Sequence, residues 1–206
     1  GIWQSDYSAV LARRGSHSPY AVTGTGCSML VGRLSYVLGL QGPCAAFDTA
    51  CSSSLTACQA ALVAHKQQDA EAALVFGVNI MCDSQVSIAF AGARMLSPTG
   101  KSYTFDTRAD GYARGEACCC LTLASPEPEN LSCCEGGAVR QDGRSASLTA
   151  PNGIAQQALL HATLGRAGQS ASGTFLLEAH GTGTSLGDAV EARSIIAVRE
   201  QPELLM

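Results

Sequence analysis

Apolar residues fall along this chain in two patterns, one at helical spacing and one in short unbroken runs. Between residues 52 and 67, Leu55, Cys58, Leu62 and His65 fall at helical spacing and predict a helix with one buried stripe. Residues 85–94, 153–167 and 188–199 read as three further helices, the second opened by Pro151-Asn152-Gly153. Residues 72–78 (Ala-Ala-Leu-Val-Phe-Gly-Val) form a short unbroken apolar run, the pattern of a buried strand. Residues 118–123 and 174–179 read as two more strands, and 42–47 lead into an extended apolar run. The stretch 95–115 is polar, with glycines and a proline, and predicts an ordered surface loop. Residues 126–137 hold two prolines and three acidic residues and show no period. Strands alternating with helices predict an α/β layered fold with mostly parallel pairing. No internal repeat, low-complexity tract or clear interdomain linker interrupts it.

Composition narrows the function. The 206 residues suffice for one sizeable core, and 22 glycines divide them into short elements. The net charge is −4, and the longest basic cluster is Arg13-Arg14, which weighs against nucleic acid as a main partner. No apolar stretch reaches about 18 residues, so no transmembrane helix is expected. The first residues contain neither a basic segment nor an apolar signal core, and they lack an initiator Met. They begin inside what reads as structure, the pattern expected of a piece of a longer chain.

The ten cysteines form no Cys-x-x-Cys pair, so no zinc site and no other metal site is expected. Cys118-Cys119-Cys120 and Cys133-Cys134 are adjacent runs that suit neither disulfide geometry nor metal spacing, and they read as reduced and mostly structural. Cys51 differs. It stands between the strand-like run ending at Phe47 and the helix-like run from Ser52, on a turn at a helix start. Unpaired N–H groups give that end partial positive charge, which favours thiolate over thiol. A free cysteine titrates near ~8.5 and such a position lowers that. The alternative is a small buried residue at a helix start. Cys58, two turns further on, reads as core.

A second constellation follows residue 179. His180-Gly181-Thr182-Gly183-Thr184 leaves a predicted strand and leads to Asp188 and Glu191. The glycines permit sharp turns and close approach of a ligand. The hydroxyls of Thr182 and Thr184 suit an amide-rich ligand, and His180 suits an oxyanion or a proton transfer. The alternative for His180 is a loop histidine bonded to nearby backbone. Asp188 reads as a helix cap with Glu191 reaching back, compatible with ordering the site. His65 and His161 are expected at surface or satisfied core positions, and His17 has no visible partner.

Taken in order, these segments resemble a beta-ketoacyl synthase domain of a type I polyketide synthase. Asp48-Thr49-Ala50-Cys51-Ser52-Ser53-Ser54-Leu55 resembles the family's nucleophile motif. Glu178-Ala179-His180-Gly181-Thr182-Gly183-Thr184 resembles its first histidine motif, and Gly187-Asp188-Ala189-Val190-Glu191 the acidic motif after it. Gly32-Arg33-Leu34-Ser35-Tyr36, Ala93-Arg94-Met95-Leu96-Ser97-Pro98, Thr104-Phe105-Asp106, Ala109-Asp110-Gly111-Tyr112 and Gln141-Asp142-Gly143-Arg144-Ser145 fit in the same order. The resemblance implies a thiolase-like layered αβαβα fold, incomplete at both ends, with a nucleophile half over 1–125 and the start of a histidine half over 138–206. It implies decarboxylative Claisen condensation. Cys51 would accept an acyl chain and its N–H would form half of an oxyanion hole. His180 would stabilise charge on the thioester oxygen, Thr182 and Thr184 would hold the pantetheine arm, and Asp188 and Glu191 would support the site. The implied partners are acyl carrier protein, acyl and malonyl-type thioesters and, at full length, a second copy in a homodimer. No covalent cofactor is implied; phosphopantetheine arrives on the carrier. The implied setting is cytoplasmic, with a plastid as alternative.

Some residues depart from the family pattern. The second histidine, in an Asn-x-Gly-His type motif with a lysine ahead of it, does not occur before Met206, and the opening segment is missing before Gly1. The 206-residue chain alone is therefore expected not to condense. Residues 125–139 are shorter than usual and carry Cys133-Cys134, which puts a strand there in doubt. Ala189-Val190 stands where Pro-Ile is commoner. Four rival readings are a fatty-acid-synthase condensing domain, a dinucleotide-binding oxidoreductase built on Gly181-x-Gly183-x-x-x-Gly187, a cysteine hydrolase, and a non-catalytic structural relative.

Overall fold

The computed structural model describes residues 1–2, 6–15, 18–125, 132–174 and 176–200. Within these, seven α-helices and two strands follow one another: α1 (Asp6–Arg13), α2 (Ala21–Thr25), α3 (Cys27–Leu38), α4 (Ser53–Lys66), β1 (Ala72–Asn79), α5 (Gln85–Gly92), β2 (Ala117–Ala124), α6 (Gly153–Ala167) and α7 (Ser185–Glu200). Single 3₁₀ turns cover Ala50–Ser52 and Ala171–Gly173. His17 lies outside the described residues.

The chain divides into two units. The first comprises Gly1–Val86 and Gly115–Leu131. Its centre is the ladder of β1 and β2, in register from Ala72 opposite Ala124 to Asn79 opposite Ala117. This pairing is antiparallel, which corrects the expectation of mostly parallel strands. Ile2 does add a parallel bridge to Val78. Helix α4 packs on β1. Its last turn carries Lys66, whose positive charge complements the helix dipole. Arg13 of α1 makes a two-pronged ion pair with Asp83, at 3.1 and 2.6 Å. The guanidinium holds the Asp83 carboxyl below the usual carboxylate range.

The second unit comprises Ser87–Arg114 and Ser132–Met206. Helices α6 and α7 pack together, and Ser194 of α7, fully buried, donates to the carbonyls of Val190 (2.8 Å) and Gly153 (3.2 Å). Asn152 caps α6 by accepting from the N–H groups of Ile154 and Ala155, as expected of that residue at a helix start. Loop 95–115 has no helix or strand of its own, but Leu96 bridges Tyr112, and the Tyr112 ring meets Phe90 edge-on at 6.5 Å.

Several expectations need correcting. The residues of α1 to α3 form helices that the spacing of apolar residues did not indicate. Residues 174 and 176–179 form no strand: the Thr174 carbonyl is taken by Arg199 at 2.8 Å rather than by a neighbouring ladder, and Phe175 lies outside the described residues. Residues 42–47 are likewise not assigned as a strand, although the Phe47 carbonyl accepts from Ile2 N–H at 3.0 Å. Of the described part of 125–139, namely 125 and 132–139, none is in a strand. The stripe on α4 is not buried: Leu55 is 73 % exposed, and Cys58, Leu62 and His65 are half-buried. In β1 only Val75 is buried. Among the described residues, the buried positions are Val75, Ala171 and Val198, the polar Ser53, Ser97, Asp188 and Ser194, and the glycines Gly111 and Gly183. Polar side chains thus hold as much of the interior as apolar ones, and two of them belong to the segments singled out for chemistry.

Candidate active site

In the first unit the site is a tight turn built by side-chain oxygens. Asp48 Oδ1 accepts from Ala50 N–H at 3.2 Å, an aspartate bonding two residues ahead. Ala50 then takes a left-handed φ of 53°, unusual for a residue with a Cβ. Cys51 follows inside the 3₁₀ turn, and α4 starts at Ser53. The turn is tied down by Thr49 N–H donating to Ser53 Oγ (2.8 Å) and by Ser53 Oγ donating to the Ala50 carbonyl (2.7 Å). Ser52 Oγ lies 2.9 Å from both the carbonyl and the hydroxyl oxygen of Thr49, which in turn meets Thr56 Oγ1 at 3.0 Å. Cys51 therefore occupies the predicted helix-start position at the entrance of α4, although the segment before it is not a strand. It is exposed in this chain, whereas the alternative reading placed it as a small buried residue. None of the ten cysteines, all among the described residues, is in a disulfide. Gly77 of β1 faces the same helix start, where a Cβ would lie 3.2 Å from Ser54 Cβ, so its lack of a side chain lets α4 come this close.

In the second unit His180, Thr182, Thr184, Asp188 and Glu191 come together. Glu191 Oε1 accepts from the N–H of His180 at 2.6 Å, and Oε2 from that of Gly181 at 2.8 Å. Asp188 is buried. Its Oδ1 accepts from Gly183 N–H at 3.1 Å and its Oδ2 from Phe105 N–H at 2.7 Å. Hydrogen bonds to ionised acceptors are the stronger kind, so two carboxylates on one helix set the path of the loop before it. Thr104 Oγ1 donates to the Gly181 carbonyl at 2.5 Å, and Gly111 N–H to that of Gly183 at 3.0 Å. The hydroxyls of Thr182 and Thr184 are 3.0 Å apart. Gly183, at φ 75°, lies so close to the 102–111 loop that a Cβ would stand 2.9 Å from Tyr103 N.

This geometry corrects one expectation and sharpens another. Asp188 does not cap α7, which begins three residues earlier; its own N–H donates to the Thr184 carbonyl at 3.0 Å. Glu191 does reach back, to the main chain of His180 and Gly181. His180 itself is exposed. Thr104, Phe105 and Gly111 belong to this arrangement although the sequence pattern assigned them no role. Their motifs were visible, but nothing in spacing links residue 105 to residue 188. Beside them, Arg108 pairs with Asp106 at 2.7 Å and lies over the Tyr103 ring at 4.5 Å. Arg108 holds the Asp106 carboxyl well below the usual carboxylate range, and its own guanidinium is held above the ordinary value by that carboxylate.

The same bonds argue against a dinucleotide loop. The N–H groups of His180, Gly181 and Gly183 already face carboxylates, where a pyrophosphate would need them bare. Gly187 lies inside α7 rather than in the loop. An open cavity of about 610 Å³ on α6 and α7, lined by Arg144, Asn152, Ile154, Gln157, Val190 and Arg193 among others, includes none of the predicted site residues. No described helix is long and apolar enough to cross a membrane.

Residues 1–128 match the family described as beta-ketoacyl synthase, N-terminal domain, and residues 131–204 match beta-ketoacyl synthase, C-terminal domain. The chain belongs to the beta-ketoacyl synthase family. It is 41 % identical over 207 residues to a phenolphthiocerol/phthiocerol polyketide synthase component of Mycobacterium tuberculosis, covering 96 % of this chain and 10 % of that protein. It is 37 % identical over 212 residues to a highly reducing polyketide synthase of Fusarium pseudograminearum, covering 98 % of this chain and 8 % of the relative. Among solved structures, an oxazolomycin ketosynthase domain of Streptomyces albus superposes with a TM-score of 0.90 at 31 % identity, over 99 % of this chain and 36 % of that one. The ketosynthase from module 6 of the bacillaene synthase of Bacillus subtilis gives 0.86 at 29 % identity, over 98 % and 36 %. The fold is therefore the α/β, thiolase-like fold of polyketide synthase ketosynthase domains. The chain spans about a tenth of the curated relatives and about a third of the solved ketosynthase chains.

Proposed function

We propose that the protein carrying this chain is a condensing enzyme of polyketide assembly. Its nucleophile half is 1–125, and its histidine half begins within 138–206. The Cys51 thiolate attacks the carbonyl of an acyl thioester. A carbon–sulfur bond forms to Cys51, and the pantetheine thiol leaves. A malonyl-type thioester on acyl carrier protein then loses carbon dioxide. The carbanion attacks the acyl-Cys51 carbonyl, forms the new carbon–carbon bond and releases the Cys51 thiolate, leaving a beta-ketoacyl thioester on the carrier. His180 donates a hydrogen bond to the thioester oxygen as charge builds during decarboxylation, and the Cys51 N–H serves the oxyanion of acyl transfer. The hydroxyls of Thr182 and Thr184 hold the amide-rich pantetheine arm, which arrives on the carrier protein and is not a resident cofactor of this chain.

The observation that carries this reading is the placement of Cys51 after a left-handed residue at the entrance of α4, a position that favours thiolate. The relatives favour polyketide over fatty-acid assembly, since those compared are polyketide synthases. They are bacterial and fungal, which gives a plastid setting no support; we propose a cytoplasmic one. A homodimer of the whole protein belongs to the same reading. The test is acyl transfer from a thioester to the protein, read by intact mass, and carbon dioxide release from malonyl-carrier protein. Cys51→Ala should abolish acylation. His180→Ala should spare acylation and lower decarboxylation by about 10²-fold or more. Acylation surviving in Cys51→Ala would overturn the reading.

A further inference from the structure

Ser53 is buried (5 % exposed), while residues 48–52 and Ser54 around it are exposed. Its hydroxyl makes two short bonds, accepting from Thr49 N–H at 2.8 Å and donating to the Ala50 carbonyl at 2.7 Å. The two bonds grip the chain on either side of the left-handed Ala50. A left-handed residue with a Cβ is disfavoured relative to the ordinary conformations. The methyl of Ala50 offers no polar atom to offset that cost. Ser52 also ties the turn to Thr49, but it is exposed, and water competes for its bonds. Asp48 Oδ1 also accepts from the Ala50 N–H, at 3.2 Å and from an exposed side chain, so the shielded hydroxyl of Ser53 is the best protected of the groups that keep Ala50 in its strained state.

We propose that Ser53 is a positioning residue for Cys51. By fixing the Asp48–Thr49 and Ala50–Cys51 peptides, its hydroxyl holds the Cys51 sulfur at the entrance of α4 and so maintains its thiolate fraction. Without it, Ala50 relaxes to an ordinary conformation and Cys51 turns away from the helix start. The inference rests on the reading of Cys51 as the nucleophile and adds to it the device that holds the nucleophile in place.

The test is iodoacetamide labelling of the full chain between pH 6 and 10, with Cys51 quantified by peptide mass spectrometry and the exposed Cys27 as internal reference. Ser53→Ala should label Cys51 about tenfold more slowly at pH 7, its midpoint moved up by about one unit, with Cys27 unchanged. Ser53→Thr, which keeps the hydroxyl, should label faster than Ser53→Ala. Ala50→Gly placed in the Ser53→Ala background should restore most of the rate, because glycine takes a positive φ at little cost. That rescue separates a role in holding Ala50 from a general loss of packing. Wild-type rate and midpoint in Ser53→Ala would overturn the proposal, and so would a double variant no faster than Ser53→Ala. If Ser53→Ala does not fold, the double variant decides: folding with wild-type labelling supports the proposal, and failure on either count overturns it. Acylation of the wild type by a thioester is measured alongside. Its failure with the labelling pattern intact would sink the condensing function and leave the role of Ser53 standing.

Discussion

Glu191 holds His180 by the main chain: one carboxylate oxygen takes the N–H of His180 at 2.6 Å and the other that of Gly181 at 2.8 Å. The histidine's position is therefore set from α7. Glu191→Ala should lower unfolding stability by about 1.5–3 kcal/mol, the range for losing a hydrogen bond to a charged group. Glu191→Gln should recover only part of this, since one of its two ends is an amide that faces an N–H donor with another donor. Chemical denaturation measures both. In the whole protein, carbon dioxide release should fall in both variants while acylation of Cys51 persists.

Gly183→Ala should destabilise the second unit by about 1–3 kcal/mol. The new methyl would meet Tyr103 N and the Gly111 carbonyl at 2.9 and 3.1 Å, and φ would remain near 75°. Hydrogen exchange at the Gly111 amide, which donates to the Gly183 carbonyl, should accelerate. Unchanged exchange there would mean that the two loops yield without parting.

Gly77→Val should cost about 1–3 kcal/mol by overpacking, because even a Cβ at this position stands 3.2 Å from Ser54 Cβ. The strain falls on the first turn of α4. Alkylation of Cys51 should therefore slow more than alkylation of Cys44 or Cys82, both exposed elsewhere in the chain. Equal slowing at all three would point to general loosening instead.

The Asp106–Arg108 pair gives a pH dependence of fixed sign. The Asp106 carboxyl titrates below its unfolded value because Arg108 bonds and attracts it. The pair's contribution is thus fully present above the unfolded value of about 3.9 and is lost as pH falls through the lower folded value. Carboxyl NMR should show Asp106 still ionised at pH 4. Arg108→Gln should return its midpoint toward the ordinary range. A midpoint that does not move in that variant would show that another group holds it.

Legibility in the sequence followed the range of each interaction. Helices α4, α6 and α7 and strands β1 and β2 were readable because caps and apolar runs are local: Asn152 opens α6 where its side chain predicts, and 72–78 gave β1 to within a residue. Helix α2 escaped because its five residues, with Gly24 among them, are too few to show a period; α1 and α3 were passed over. The antiparallel sense of β1 and β2 depends on the path of residues 80–116, which no pattern inside either strand records. Cys51 and His180 stood out through their neighbours in the chain. Thr104 and Phe105 did not, because their partners Gly181 and Asp188 are 77 and 83 positions away.

Asp188 and Glu191 lie about one turn apart on α7, so both stretches of loop take their alignment from one rigid rod. Its rotational phase is information. Adding or deleting a single residue ahead of Asp188 would swing both carboxylates by about 100° and release the amides of Phe105, His180, Gly181 and Gly183 together. Tolerance to insertion should therefore end abruptly at Thr184. The start of this helix is a place where drift in chain length is far more damaging than drift in side-chain identity.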